Sequence, residues 1–258
     1  MQKTLFVAGG NGFIGQEICR TAIGAGHQVK ALSRSGRPLV EEPWADMVTW
    51  IQGDALEPES WRDHLDGCDA AIHCIGIVRE DPLQGETFER INAETATSLA
   101  AEANRYGVST FVMISADIIP PMTSDRYLGT KRQAEAQIQD SFPEMRSVFL
   151  RPAIVYGRRR PVSILAGCAL QVVNFLPPGL RPTSHIPLAV ENVAATAVYA
   201  AVHPDVQGVV DEESIDDLAE TAAGSLRIPP PEALSTWSLV AAAGAAAAVA
   251  GALVLRRK

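Results

Sequence analysis

The chain has 258 residues, 47% of them hydrophobic and 20% charged, with 20 glycines, 17 prolines and 4 cysteines. That balance excludes a disordered chain, a collagen-like repeat and a disulfide-stapled miniprotein, and the length suits one large α/β domain, or one domain plus a small lobe. Lys and Arg total 22 against 30 acids, a formal charge of −8, so no basic surplus exists to displace counterions from a nucleic acid.

The first 155 residues alternate short apolar runs with helical stretches. Thr4–Ala8, Gln28–Ser33, Val48–Gln52, Ala70–Ile75, Thr110–Ser115 and Ser147–Leu150 read as strands, each apolar enough to be buried on both faces. Gly15–Gly24, Pro58–Leu65, Glu86–Tyr106 and Tyr127–Ser141 read as helices. The alternation predicts a Rossmann-type doubly wound parallel sheet over residues 1–157. Past Gly157 it fades: residues 158–226 carry a basic triplet, the apolar stretch Val162–Leu176, Pro-rich turns and a helix expected at Val190–His203, together read as a small C-terminal substrate lobe. A stiff linker, 227–236, follows with Pro229-Pro230-Pro231, and then a hydrophobic helix over 237–255. Cys19, Cys68, Cys74 and Cys168 are widely spaced, with no Cys-x-x-Cys and no His at ligand spacing. They read as thiols of a reducing compartment, and no metal is expected. Leu5–Ala8 is too short an apolar run for a secretory leader.

Directly after the first strand comes Gly9-Gly10-Asn11-Gly12-Phe13-Ile14-Gly15, then a helix. Glycines at this spacing serve a tight strand-to-helix turn, close backbone approach to a pyrophosphate and close helix–strand packing. The helix N-terminus supplies N–H groups and a positive dipole end for the phosphates. At the end of the second strand an acid would accept hydrogen bonds from the ribose 2′-hydroxyl of NAD. This chain has Leu32-Ser33-Arg34-Ser35-Gly36-Arg37 instead, and the Arg34 guanidinium suits a 2′-phosphate. The expected coenzyme is NADP(H), with NAD the alternative, and Asp54 after the third strand is placed against its adenine.

Tyr127-Leu128-Gly129-Thr130-Lys131 sets a tyrosine and a lysine four apart, on one helix face. A phenol near pKa 10 exchanges protons poorly at neutrality; a neighbouring ammonium stabilises the phenolate and makes Tyr127 a usable acid or base. Ser115, at the end of the fifth strand, is placed to hydrogen-bond a substrate oxygen.

These pieces, with Ala71-Ile72-His73-Cys74-Ile75-Gly76, Ile91-Asn92 and Leu150-Arg151-Pro152-Ala153-Ile154-Val155-Tyr156-Gly157, resemble the short-chain dehydrogenase/reductase superfamily in its extended and atypical, epimerase/dehydratase-like branches. The chain is most similar to the atypical group that includes the nucleotide-binding accessory subunit of respiratory complex I and mitochondrial proteins associated with ubiquinone biosynthesis. The resemblance implies that Cys74, Gly76, Pro152 and Val155 line the nicotinamide end of the coenzyme, that Lys131 also holds its ribose, and that Asn92 supports the fold around the site. With the hydrophobic tail over 237–255, the expectation is a membrane-tethered oxidoreductase acting on a lipophilic carbonyl, hydroxyl or quinone-related compound. Two alternatives stand beside it: a non-catalytic nucleotide-binding protein of a membrane complex, and a sugar-nucleotide epimerase or dehydratase, for which residues 158–226 leave little room.

Ala233–Leu255 is uncharged over 23 residues and precedes Arg256-Arg257-Lys258. As a helix it spans roughly 35 Å, enough for a hydrocarbon core of about 30 Å, with Trp237 at one interface and the basic triplet at the other. The expectation is a membrane-tethered protein with its nucleotide-binding domain on the cytoplasmic side. Three terminal charges cost less to translocate than a folded domain.

Overall fold

The structure is a computed structural model that describes residues 1–39, 41–119, 123–157 and 187–225. The linker, the hydrophobic tail and residues 158–186 of the expected lobe lie outside the described residues.

Six strands run where the apolar runs predict: β1 (Thr4–Ala8), β2 (Gln28–Ser33), β3 (Val48–Gln52), β4 (Ala70–His73), β5 (Thr110–Ile114) and β6 (Arg146–Leu150). With β9 (Gly208–Val210) they form a seven-stranded, wholly parallel sheet in the order β3-β2-β1-β4-β5-β6-β9. Both faces are covered, and successive residues serve opposite faces. Leu5 and Val7 of β1 pack with Val29, Ile72, Val112 and Val148 against α1 (Phe13–Gly24), the short α2 (Pro43–Asp46) and α5 (Val190–Val202). Phe6 and Ala8 pack with Ala71, Phe111, Met113 and Phe149 against α3 (Thr95–Arg105) and α4 (Arg126–Ser141). Strands buried on both sides keep no polar alternation, which is why they read as continuous apolar runs.

The strand order reverses at β1, which lies between β2 and β4. Their carboxyl ends therefore open a crevice, where doubly wound sheets bind ligands.

Other elements depart from their expected form. Pro58–Leu65 is two 3₁₀ turns, Pro58–Ser60 and Arg62–Leu65, separated by Trp61, whose buried indole donates to the Asp54 carbonyl at 2.9 Å. Glu86–Tyr106 resolves into a π turn, Glu89–Glu94, running into α3. Residues 187–225 of the expected lobe join the main body. In the described part, α5 lies on α1, α6 (Glu212–Ser225) lies on α5, and β9 pairs with β6. Arg146 fixes this addition by donating to the carbonyls of Ala200 and Val206 at 2.8 and 2.6 Å, where α5 ends. β7 (Ile154–Tyr156) pairs in parallel with β8 (Pro187–Ala189). Among the described residues, no helix is long and apolar enough to cross a membrane.

Candidate active site

The glycine turn leaves β1 and is fastened to β2: the N–H groups of Gly9 and Gly10 donate to the Leu32 carbonyl at 2.9 and 3.0 Å. Gly9 has φ +88°, and a Cβ there would also meet the Cys74 carbonyl at 3.1 Å. A Cβ on Gly10 would lie 2.7 Å from that of Ala31, and one on Gly15 would lie 2.1 Å from the Gly9 carbonyl oxygen. The turn, the first helical turn and β2 thus touch backbone to backbone. α1 starts from Gly12 with no side-chain cap and no acid in its first turn. Its N-terminal end keeps the positive potential that attracts an anion.

A cavity of ≈ 260 Å³ runs along this turn. Of the residues expected at a coenzyme, Gly9, Asn11, Gly12, Arg34, Asp54, Cys74 and Gly76 line it, joined by Ser33, Ser35, Ile91 and Thr95. Gly10 and Gly15 make the packing behind the wall, and Ile14 packs into the core beneath. Phe13, Pro152 and Val155 are outside the lining. The Phe13 ring lies 3.2 Å from where a Cβ on Gly157 would sit, and Val155 pairs with Leu188. Asn11 donates to the Ser35 hydroxyl at 2.7 Å, tying the glycine turn to the end of β2. Asp54 uses its carboxylate locally, accepting from the Leu56 N–H at 2.9 Å. The Arg34 guanidinium is 72% exposed and pairs with Glu86 at 2.9 Å.

Beyond Gly76 the cavity wall meets α4. A Cβ on Gly76 would lie 3.6 Å from Lys131 Nζ and 3.3 Å from Asn92 Oδ1. Asn92, buried in the π turn, accepts from the Ile77 N–H at 2.7 Å and donates to the Ile77 carbonyl at 3.0 Å. It replaces the ladder partners that the chain loses on leaving β4. Lys131 is buried and donates to the Ile114 carbonyl at 3.1 Å, with Nζ 5.8 Å from the centre of the Tyr127 ring. Tyr127 is itself buried, packed edge-on against Phe88 at 5.7 Å.

The expected lowering of the phenol pKa is not what this geometry produces. Burial pushes Tyr127 up to about 12, and burial likewise brings Lys131 down to about 8, Glu135 opposing the shift and Arg132 adding to it. Desolvation favours the neutral form of each. At neutral pH the pair presents a protonated phenol beside a lysine whose charge is easily lost. Cys74 lines the cavity as a neutral thiol, raised to about 12 by burial and donating to the Ala8 carbonyl at 3.0 Å.

Ser115 is engaged elsewhere. Its hydroxyl bonds the buried carboxylate of Glu135, which also pairs with Arg132 at 2.8 Å and with Arg151. Arg132 donates in turn to the Ala116 carbonyl at 2.8 Å. The cluster ties the ends of β5 and β6 to α4, and the hydroxyl is spent on it. Glu135 and Glu86 were both missed as site residues. Lys131-x-x-x-Glu135, one further turn on the same face, was the available signal for the first; Glu86 has none, since its partner Arg34 lies 52 residues away.

A cradle too tight for any Cβ, an uncapped helix end and a cavity reaching to Gly76 fit a dinucleotide, and define a nucleotide-binding α/β protein of the doubly wound class. The chain belongs to the NAD(P)H-binding family, which matches residues 9–164. It is similar to the uncharacterized chloroplastic protein At1g32220 of Arabidopsis thaliana, at 31% identity over 84% of this chain and 77% of that one. It is also similar to MIOREX complex component 2 of Saccharomyces cerevisiae, at 26% identity over 83% of this chain and 99% of that one. A 3-beta-hydroxysteroid dehydrogenase of Mycolicibacterium neoaurum is 26% identical over 60% of this chain and 48% of its own length. Among solved structures, the UDP-glucose 4-epimerase of Thermus thermophilus in complex with NAD shares the fold with a TM-score of 0.60 and 20% identity, covering 88% of this chain and 84% of that one.

Proposed function

We propose that the protein is an NAD(P)H-dependent oxidoreductase that reduces a carbonyl of a lipophilic, quinone-related compound. The observation that carries the reading is the buried phenol of Tyr127 beside Lys131, just past the cavity wall at Gly76. Gly9, Asn11, Gly12 and the start of α1 would hold the pyrophosphate, Ser33, Arg34 and Ser35 the adenosine end, and Cys74 and Gly76 the nicotinamide end. When bound, the coenzyme supplies a hydride to the carbonyl carbon. The chain's own part is the proton: Tyr127 Oη gives it to the carbonyl oxygen, leaving an alcohol. Burial keeps the Tyr127 phenol protonated at neutral pH, so the proton to be given is in place before the hydride moves. Lys131 would hold the ribose and stabilise the phenolate left behind, and Ser115, through Glu135, keeps the end of β5 in place. The uncharged stretch Ala233–Leu255 supports a membrane tether that concentrates such substrates at the same surface, with the nucleotide-binding domain on the cytoplasmic side.

The test is coenzyme oxidation against a panel of quinones and isoprenoid carbonyls. Tyr127→Phe is expected to lose about 10²-fold or more in turnover while binding coenzyme normally; equal rates in both proteins discard the role. Flotation with liposomes of the full chain, against a chain ending at residue 226, tests the tether.

A second reading, a non-catalytic nucleotide-binding subunit of a membrane complex, is supported by the likeness to MIOREX complex component 2 along nearly that protein's whole length. Tight coenzyme binding, no turnover on any panel member and a cellular role indifferent to Tyr127→Phe would favour it.

A further inference from the structure

Between β4 and the π turn the chain crosses the crevice as a strap, Ile77–Phe88. It is pinned at the catalytic end, where Asn92 holds both backbone groups of Ile77, Thr123 donates to the Val78 carbonyl at 3.0 Å and Arg126 pairs with Glu80 at 3.1 Å. At its tip Asp81 and Glu86 exchange backbone hydrogen bonds of 2.8 and 2.9 Å around Gly85, φ +72°. This small hairpin reaches the other end of the cavity and sets the Glu86 carboxylate on Arg34.

Arg34 lines the cavity at the end of β2, where the adenosine ribose of a dinucleotide lies in this fold. Arg37, the other guanidinium of that turn, lies outside the cavity lining and is paired with Asp46 at 2.6 Å. Arg34 is therefore the cation facing an incoming 2′ substituent, and Glu86 already neutralises it. A ribose 2′-hydroxyl is uncharged and leaves the Arg34–Glu86 pair alone. A 2′-phosphate seeks the same guanidinium in the bidentate manner that Arg favours and is repelled by the carboxylate beside it.

We infer that Glu86 selects the coenzyme: NAD(H) binds with the strap latched on Arg34, whereas NADP(H) binds only by displacing Glu86 and releasing the hairpin. This rests on the nucleotide-binding reading above. It adds a specificity residue from outside the β2 turn and couples the 2′-phosphate to a strap that also borders the catalytic end. Because an exposed ion pair is weak, a phosphate carrying about two charges can win the exchange, at a cost that removing the carboxylate would lift.

The experiment is calorimetric titration of the full chain, wild type, Glu86→Gln and Arg34→Gln, with NAD⁺ and with NADP⁺. Glu86→Gln is expected to tighten NADP⁺ about three- to tenfold and to change NAD⁺ less than about twofold; Arg34→Gln is expected to weaken NADP⁺ by about tenfold or more. Hydrogen exchange of wild-type residues 79–88 should speed up on adding NADP⁺ and not on adding NAD⁺, a readout that needs no variant. An unchanged NADP⁺-to-NAD⁺ ratio in Glu86→Gln, or exchange indifferent to which coenzyme is added, overturns the latch while leaving the proposed function standing. No heat with either coenzyme removes both.

Discussion

The hydroxyl of Ser115 is bonded to the buried carboxylate of Glu135, so a residue at the end of β5 is committed to the packing between β5, β6 and α4. Hydrogen bonds to charged groups are worth about 1.5–3 kcal/mol, and here the acceptor also carries Arg132 and Arg151. Ser115→Ala is expected to lower stability by about 2 kcal/mol, read as a shifted urea midpoint, with turnover per folded molecule within about threefold of wild type. A large loss of turnover at unchanged stability would mean instead that the hydroxyl leaves Glu135 to touch substrate.

Much of this arrangement was legible in the sequence, and the parts that were not have a common cause. β1, β4 and β5 are buried on both faces, so each announces itself as an apolar run between turn residues, and β2, β3 and β6 keep enough buried apolar positions to be read with them. The cradle is legible because Gly9 and Gly15 press on backbone and Gly10 on the Ala31 methyl, contacts that leave no room for a Cβ. Trp61, by contrast, splits Pro58–Leu65 through a bond to the Asp54 carbonyl, a tertiary contact that no local pattern records. β7, β8 and β9 are three residues each, too short for alternation to register. Glu86 and Glu135 gain their meaning from Arg34 and Arg151, and pairs joined only by the fold leave no mark in spacing. The upward shift of the Tyr127 phenol escapes the sequence for the same reason: the i, i+4 spacing is visible in the chain, but the burial that raises the pKa is not.

Gly15 is the most constrained of the described glycines. A methyl there would sit 2.1 Å from the Gly9 carbonyl oxygen and 2.9 Å from Gly10 Cα, and both obstacles are backbone, unable to rotate away. Gly15→Ala must push α1 off the turn, at a cost of about 1–3 kcal/mol or more. Coenzyme affinity should fall more than stability does, by about tenfold or more, because the helix end that would face the phosphates moves with it. Gly24→Ala is the control, since a Cβ there meets nothing within 4 Å. Titration and thermal melts of the two variants check this, and equal affinity in both would mean that the helix end does not carry phosphate binding.

His73 makes a separate prediction, about acid. The Thr95 hydroxyl donates to the Ile91 carbonyl at 2.7 Å, so its oxygen is left to accept from His73 Nε2 at 2.9 Å; Nδ1 has no hydrogen-bond partner among the described residues. Burial, aided by the Lys131 charge, lowers the imidazole pKa from 6.5 to about 3. Between those values the unfolded chain holds a proton that the folded chain does not. The stability present above pH 6.5 is therefore lost as pH falls towards 3, by about 1.4 kcal/mol per pH unit from this residue. Carboxylates titrate across the same range, so the readout is a difference between wild type and His73→Leu. At pH 7 the variant should be less stable by about 1 kcal/mol, having lost the bond to Thr95. As pH falls the gap should close near pH 6 and reverse by pH 5, because leucine has no proton to take up. Urea midpoints at pH 7, 6, 5 and 4 measure it. Parallel curves for the two proteins would show that His73 takes up its proton without unfolding the sheet around it.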